Sequence, residues 1–215
     1  MFVIKSGQNR TAAHRVVALL SVFIVSACVS TGPSSTSARL EIQDEIGFTI
    51  SEKANVSSNV RNNYEQALLL LEQGQHDQGI AILETVVEAA SHLSTPRIDL
   101  GVAYHQAGDL EAAERNLLLA LETSPTHPIA HNELGIVYRK TGRFTEARKS
   151  YQSALNVYPG YHYARRNLAV LCDLYLADLD CALDNYEAYM ATVPGDREAA
   201  IWIADVRLRM GQPEE

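Results

Sequence analysis

The 215-residue chain is poor in most residues that small folds lean on: 3 cysteines, 12 glycines, 7 prolines, 1 tryptophan and 4 phenylalanines. Three cysteines are too few for a disulfide scaffold. So little glycine and proline excludes a collagen-like or linker-dominated chain. Basic charge is also short, with 18 Lys plus Arg against 26 Asp plus Glu and a formal net charge of −8. A chain this acidic has no bulk electrostatic reason to bind nucleic acid. Reaction motifs are missing too. There is no glycine-rich phosphate loop with Lys and Ser/Thr, no GxSxG elbow and no His-Glu-x-x-His. The expectation is therefore a non-enzyme with no cofactor and no small-molecule substrate. What is present, 47% apolar and 20% charged residues, is the balance of a folded protein.

The front of the chain differs from the rest. No acidic residue precedes Glu41, whereas Lys5, Arg10 and Arg15 make it positive. Residues 16–27 are apolar except for Ser21 and Ser26. This run falls short of the roughly 20 residues that span a bilayer, and it suits the apolar part of a secretory signal. It ends in Val25-Ser26-Ala27-Cys28, which resembles the bacterial lipobox. That resemblance implies cleavage after residue 27 and a diacylglyceryl group on the Cys28 sulfur. A secreted protein with a chance cysteine and an uncleaved anchor are the alternatives. One acyl chain holds a protein only marginally, at about 0.8 kcal/mol per buried methylene, and several chains on one cysteine hold it firmly. Val29 stands where lipoproteins of the inner membrane often carry Asp. The resemblance thus implies an outer-membrane protein facing the periplasm. Removing residues 1–27 leaves 15 basic against 26 acidic residues, so the lipid and not surface charge would do the membrane binding.

Residues 29–40 are mostly Ser, Thr, Gly, Pro and Ala, a flexible spacer by composition. Residues 28–59 are read together as lipidated N-terminus and tether. Within them Ile46, Phe48 and Ile50 alternate with Gly47, Thr49 and Ser51, a strand-like period of two. The plain reading is a short extended segment packed on the first helix, and no function is assigned to residues 41–56.

From residue 60 the chain repeats. Gly74, Gly108 and Gly142 are spaced by 34, as are Leu100, Leu134 and Leu168. Small residues stand beside the leucines at Gly101, Gly135 and Ala169. Ala182, Tyr186 and Pro194 follow at 35, so one residue is inserted between Cys172 and Ala182. Two helices of about 13 residues and two turns fill such a period. The pattern resembles the tetratricopeptide repeat, best over residues 128–161 with Leu134-Gly135, Tyr138, Ala147, Tyr151, Ala154 and Pro159. The usual Trp near the repeat start is replaced by Asn63, Arg97, His131 and Arg165. The resemblance implies an all-α, right-handed solenoid of four hairpins (60–93, 94–127, 128–161, 162–196). A capping helix (197–211) and a tail (212–215) follow. The glycines at 74, 108 and 142 would take the left-handed conformation that ends a helix. Ala200, Ile203, Ala204 and Val206 would pack the last helix onto the fourth hairpin, leaving Arg207 and Arg209 in water. Trp202 is read as packing against its partner helix.

In tetratricopeptide proteins the inner face comes from the first helix of each pair. The corresponding residues are Ile98, Val102 and His105, then Asn132, Ile136 and Arg139, then Arg166, Val170 and Asp173. Leu68 and Tyr64 extend the row. Leu68, Val102, Ile136 and Val170 make an apolar stripe, and Arg139, Lys140, Arg165 and Arg166 a basic margin. That combination suits an amphipathic partner segment carrying some acid. Some members of the family clamp a terminal carboxylate with a Lys/Asn/Arg set; the column of Val102, Ile136 and Val170 contains no Asn, so C-terminal recognition is not expected.

Three constellations have blander readings. His127 and His131 are four apart, but Pro128 puts His127 outside the helix, and two surface histidines near a turn are expected, not a metal site. Asp173, Asp178, Asp180 and Asp184 lack the alternation and glycine of a calcium loop. Cys172 and Cys181 flank one turn and stand either as a disulfide or as two buried thiols. Arg166-Asn167-Leu168-Ala169 through Asp173-Leu174-Tyr175-Leu176, with Ile201-Trp202-Ile203-Ala204-Asp205, is similar to tetratricopeptide proteins described as components of TonB-type systems. Pilotin-like lipoproteins and adaptors for envelope enzymes share the architecture. The expected function is a lipid-anchored adaptor that captures a partner protein at the periplasmic face of the outer membrane. A self-associating structural protein is the alternative.

Overall fold

The computed structural model describes residues 39–43, 47–52 and 55–211. The leader, Cys28, Ile46 and the tail at 212–215 lie outside the described residues. The described chain begins with a two-stranded antiparallel hairpin, β1 (Arg39–Gln43) and β2 (Gly47–Ser51), with Leu40 opposite Ile50 and Ile42 opposite Phe48. Helices follow in pairs: α1 (Ser58–Glu72) with α2 (His76–Ala89), α3 (Thr95–Ala107) with α4 (Leu110–Thr123), α5 (Pro128–Lys140) with α6 (Phe144–Val157), and α7 (His162–Leu174) with α8 (Leu179–Thr192). A last helix, α9 (Arg197–Arg209), packs on α8. Among the described residues no helix is long and apolar enough to cross a membrane.

The segment read as a tether up to residue 59 is therefore built from Arg39 onward. The ring contacts of Phe48 lie elsewhere than on the first helix. The Phe48 ring meets Tyr158 and Tyr161 edge-on, with centroids 4.9 Å and 5.0 Å away. A lone two-stranded hairpin is marginal in water, and those contacts with the loop before α7 give it a seat. Glu52 holds its end: Oε1 accepts from the Ser94 backbone N–H at 2.8 Å and Oε2 from the Thr95 N–H at 2.9 Å. Ser94 makes no side-chain cap of its own on α3, so a carboxylate from 42 residues upstream satisfies that helix end.

Within each pair the helices meet through small residues. A Cβ on Gly101 would stand 2.8 Å from the Leu117 side chain, which belongs to the facing helix α4. Gly74, Gly108 and Gly142 serve differently. Each has positive φ (76°, 90° and 76°) and open space where a Cβ would go, so backbone conformation sets the demand. The fourth pair has no such glycine. The residue inserted in that turn is accommodated with Ala177 at φ 52°.

Successive pairs share one core stripe. Ala130, Ala164 and Ala199 are buried in the same column, as are Val137, Leu171 and Val206. This corrects the reading of α9. Ala199, Ile203 and Val206 face the fourth pair, and Ala200 and Ala204 are exposed. The inserted residue moves the register by one, and α9 follows it. Nor do its arginines simply face water: Arg207 pairs with Glu187 at 2.8 Å, and Arg209 pairs with Asp173 and, at 2.9 Å, with Asp205.

First helices touch across repeats, α3 with α5 and α5 with α7, whereas second helices of successive repeats make no comparable contact. The stack therefore curves toward its first helices, and their free side is the inner one.

Candidate functional site

Curvature decides which residues of the inner face remain available. Ile98 is only 3% exposed and packs with Ala130 and Leu134, in the seam between α3 and α5. Asn132, one repeat later in that column, is 2% exposed. Its Nδ2 donates to Glu133 Oε1 at 3.1 Å, and its Oδ1 accepts from Asn167 at 2.9 Å. Both were expected to line the groove. Both instead close seams, because first helices that touch bury the column between them. Tyr64 is likewise engaged, its hydroxyl donating to Asp99 on α3.

The next column stays open. Leu68, Val102, Ile136 and Val170 are all half-buried. Val102 leans on the core of the second and third pairs, Ile136 and Val170 on that of the third and fourth. Each keeps part of its surface on the inner side. The basic margin is thinner than the sequence suggested. Arg165 turns away, donating to Asn185 Oδ1 at 3.1 Å and to the Pro159 carbonyl at 3.3 Å. Arg166 lies over the Trp202 ring, 5.2 Å from its centroid, and Trp202 in turn packs against Tyr186 of the partner helix at 5.5 Å.

Arg139 and His105 occupy the last turns of α5 and α3. The Arg139 guanidinium stands 5.7 Å from the Tyr175 ring centroid, and Nη1 reaches that hydroxyl at 3.4 Å. The buried Tyr151 hydroxyl lies beside it as well. Burial lowers the pKa of His105, and the neighbouring Lys140 and Arg139 charges lower it further. Asp173, the residue of this column on α7, is held by Arg209. None of the carboxylates that form ion pairs among the described residues pairs with Arg139.

The other constellations are occupied. His127 is buried and not on the surface: it caps α5, its Nδ1 accepting from the Ala130 N–H at 3.3 Å. Burial holds its pKa down at about 4, with His131 adding to the effect. His131 Nε2 meets the Pro125 carbonyl at 2.9 Å. Cys172 and Cys181 are joined by a disulfide with Cα atoms 5.8 Å apart, pinning the end of α7 to the start of α8. Asp178 lies within 4.8 Å of both sulfurs. It caps α8 through the Cys181 N–H and pairs with Arg148, so these donors are already committed.

Sequence reasoning missed the Glu52 cap, the Asn132–Asn167 link and the two tyrosines around Arg139. Repeat columns describe what one helix shows its neighbour, and these contacts join residues from different columns.

Tetratricopeptide repeat models match residues 70–132 and 128–161. No curated protein sequence matches the chain. Several solved structures share the fold. A crystal structure of MamA covers 68% of this chain and 85% of its own, at 21% identity and a TM-score of 0.63. MamA from Desulfovibrio magneticus RS-1 covers 73% and 88%, at 15% identity and 0.65. PilF of Pseudomonas aeruginosa covers 71% and 69%, at 17% identity and 0.65. Both matching family models are tetratricopeptide-repeat models. Residues 70–161 carry tetratricopeptide repeats, and the described helices form an all-α tetratricopeptide-repeat solenoid.

Proposed function

We propose that this protein is a non-enzymatic adaptor, anchored through lipid on Cys28 at the periplasmic face of the outer membrane, whose first-helix face captures a segment of a partner protein. The observation that carries the reading is the open column Leu68, Val102, Ile136 and Val170, apolar and half-buried in four successive repeats. An extended or helical segment laid across the repeats would cover one apolar contact per repeat. Retention at a membrane raises the local concentration of whatever is captured, without further contacts. Service to a pilus, secretion or TonB-type assembly follows from the sequence resemblance.

Two experiments test it. A photo-crosslinking residue placed at Val102 in living cells is expected to trap one protein, and Ile136→Asn with unchanged circular dichroism is expected to abolish the adduct. An adduct indifferent to Ile136→Asn overturns capture on this face. Radiolabelled palmitate is expected to mark the wild type and not Cys28→Ser; equal labelling overturns the anchor.

Self-association is the second reading. It is favoured by Ile201 and Leu208, 67% and 65% exposed on α9. A dimer by light scattering that dissociates on Ile201→Asp would replace the adaptor with a structural assembly.

A further inference from the structure

Two buried polar atoms in the last turns of first helices have no hydrogen-bond partner: His105 Nε2 and Arg139 Nε. They come from two touching first helices, α3 and α5. The Tyr151 hydroxyl lies beside Arg139, and the Arg139 charge is felt at His105. Buried polar groups are almost always paired, and each unpaired one costs about 1–3 kcal/mol. Two on touching helices, one of them on an arginine with no carboxylate partner among the described residues, mark a place for a further group.

The chemistry of that group can be read from its neighbours. Arg139 and Lys140 are cationic, and no acidic side chain is paired with either among the described residues. The obvious intramolecular candidate, Asp173, is taken by Arg209 and approached by the Tyr186 hydroxyl at 3.4 Å. The missing group is therefore an anion that accepts hydrogen bonds. Planar guanidinium matches a carboxylate or a phosphate equally well. The open apolar column at Val102 and Ile136 lies one turn away on the same two helices, which favours an anion attached to apolar chain. A doubly charged phosphate would call for more positive charge than one arginine and one lysine beside a histidine of lowered pKa.

We propose that Arg139, flanked by His105 and backed by the Tyr151 and Tyr175 hydroxyls, receives an Asp or Glu side-chain carboxylate of the partner segment lying along Val102 and Ile136. This rests on the adaptor reading and adds the chemical signature of what is captured: an acidic residue one helical turn from an apolar one. The seat lies in the last turns of the first helices, away from the column where a terminal-carboxylate clamp would place its Asn.

Sodium butyrate is the probe, since it carries one carboxylate on a short apolar chain and needs no partner. The full-length protein is titrated with butyrate, with neutral butyramide, with sodium chloride at matched ionic strength, and with inorganic phosphate. Side-chain NMR signals of Arg139 Nε–H and the His105 ring are followed. Butyrate is expected to shift both saturably, and butyramide and chloride to leave them in place. Arg139→Gln is expected to weaken butyrate binding about tenfold or more, and Tyr175→Phe, which leaves the helices untouched, to weaken it less. Equal shifts with chloride, or butyrate binding unchanged in Arg139→Gln, overturn the seat. Saturation by phosphate at lower concentration than butyrate overturns the carboxylate assignment. Failure of the adaptor reading would appear separately, as a crosslink indifferent to Ile136→Asn.

Discussion

The Tyr151 ring lies against Gly135 so closely that a Cβ on the glycine would stand 2.5 Å from the ring. The ring is fully buried, with Ala147 and Ala154 one turn to either side on α6. It cannot swing clear as the tip of a lysine would. The pair fixes how near α5 and α6 come, and it carries the Tyr151 hydroxyl through to Arg139.

Gly135→Ala should therefore destabilise the protein although alanine is the better helix former. Overpacking costs about 1–3 kcal/mol and the propensity gain returns about 1 kcal/mol; a fully buried ring that cannot yield puts the cost at the upper end, so a net loss of about 2 kcal/mol is expected in urea unfolding. The fourth pair shows what relief would look like, with Ala169 and Tyr186 in the corresponding columns. An alanine variant as stable as the wild type would mean that α5 and α6 separate freely, against the close packing described.

Ala177 is the mirror case. It holds a left-handed φ of 52° in the turn between α7 and α8, where the earlier repeats use Gly74, Gly108 and Gly142. A side chain in that region costs about 1–2 kcal/mol, partly offset by the larger entropy a glycine loses on folding. Ala177→Gly should raise stability by roughly 0.5–1 kcal/mol. Thermal unfolding of the two proteins, each with the Cys172–Cys181 bond intact, checks this; a lower midpoint for the variant contradicts it.

How far these features were legible varies with the kind of interaction. The helix hairpins could be read because identical demands recur every 34 residues, at Gly74, Gly108 and Gly142. The open column could be read for the same reason. Ile98 and Asn132 could not: their column is right for the inner face, but curvature closes it, and curvature is a property of the stack. The Glu52 cap spans 42 residues and joins a non-repeating segment to a repeat, so no periodicity announces it. Phe48 was visible as an alternating apolar residue, yet its seat between Tyr158 and Tyr161 depends on two residues in a single interrepeat loop.

The hairpin seat is testable on its own. Glu52→Ala removes the acceptor for the Ser94 and Thr95 N–H groups, and Ser94 is fully buried. Leaving such donors unpaired costs about 1–3 kcal/mol. Hydrogen exchange should speed up in the first turn of α3, while the core of α5 and α6 keeps its protection. Phe48→Ala should loosen β2 without touching the α3 amides, since its partners are Tyr158 and Tyr161. Unchanged exchange at Ser94 and Thr95 in Glu52→Ala would dismiss the cap.

Glu133 makes stability depend on pH. Burial is the main cause that raises its carboxyl to about 7, and the hydrogen bond from Asn132 pulls modestly the other way. Between the ordinary carboxylate range and about 7 the folded protein keeps a proton that the unfolded chain has lost. Stability must then fall as pH rises through that window. His127 acts oppositely: burial holds it at about 4, so between there and its ordinary value of 6.5 the unfolded chain binds the extra proton and stability rises with pH. The two slopes overlap and partly cancel, which is why the wild-type profile alone is uninformative. Glu133→Gln separates them, because glutamine keeps an acceptor for Asn132 and has nothing to titrate. The variant should match the wild type near pH 4 and exceed it by about 2–3 kcal/mol near pH 8. A difference constant across the range would show that Glu133 is ionised in the fold throughout, and that its burial does not govern its proton.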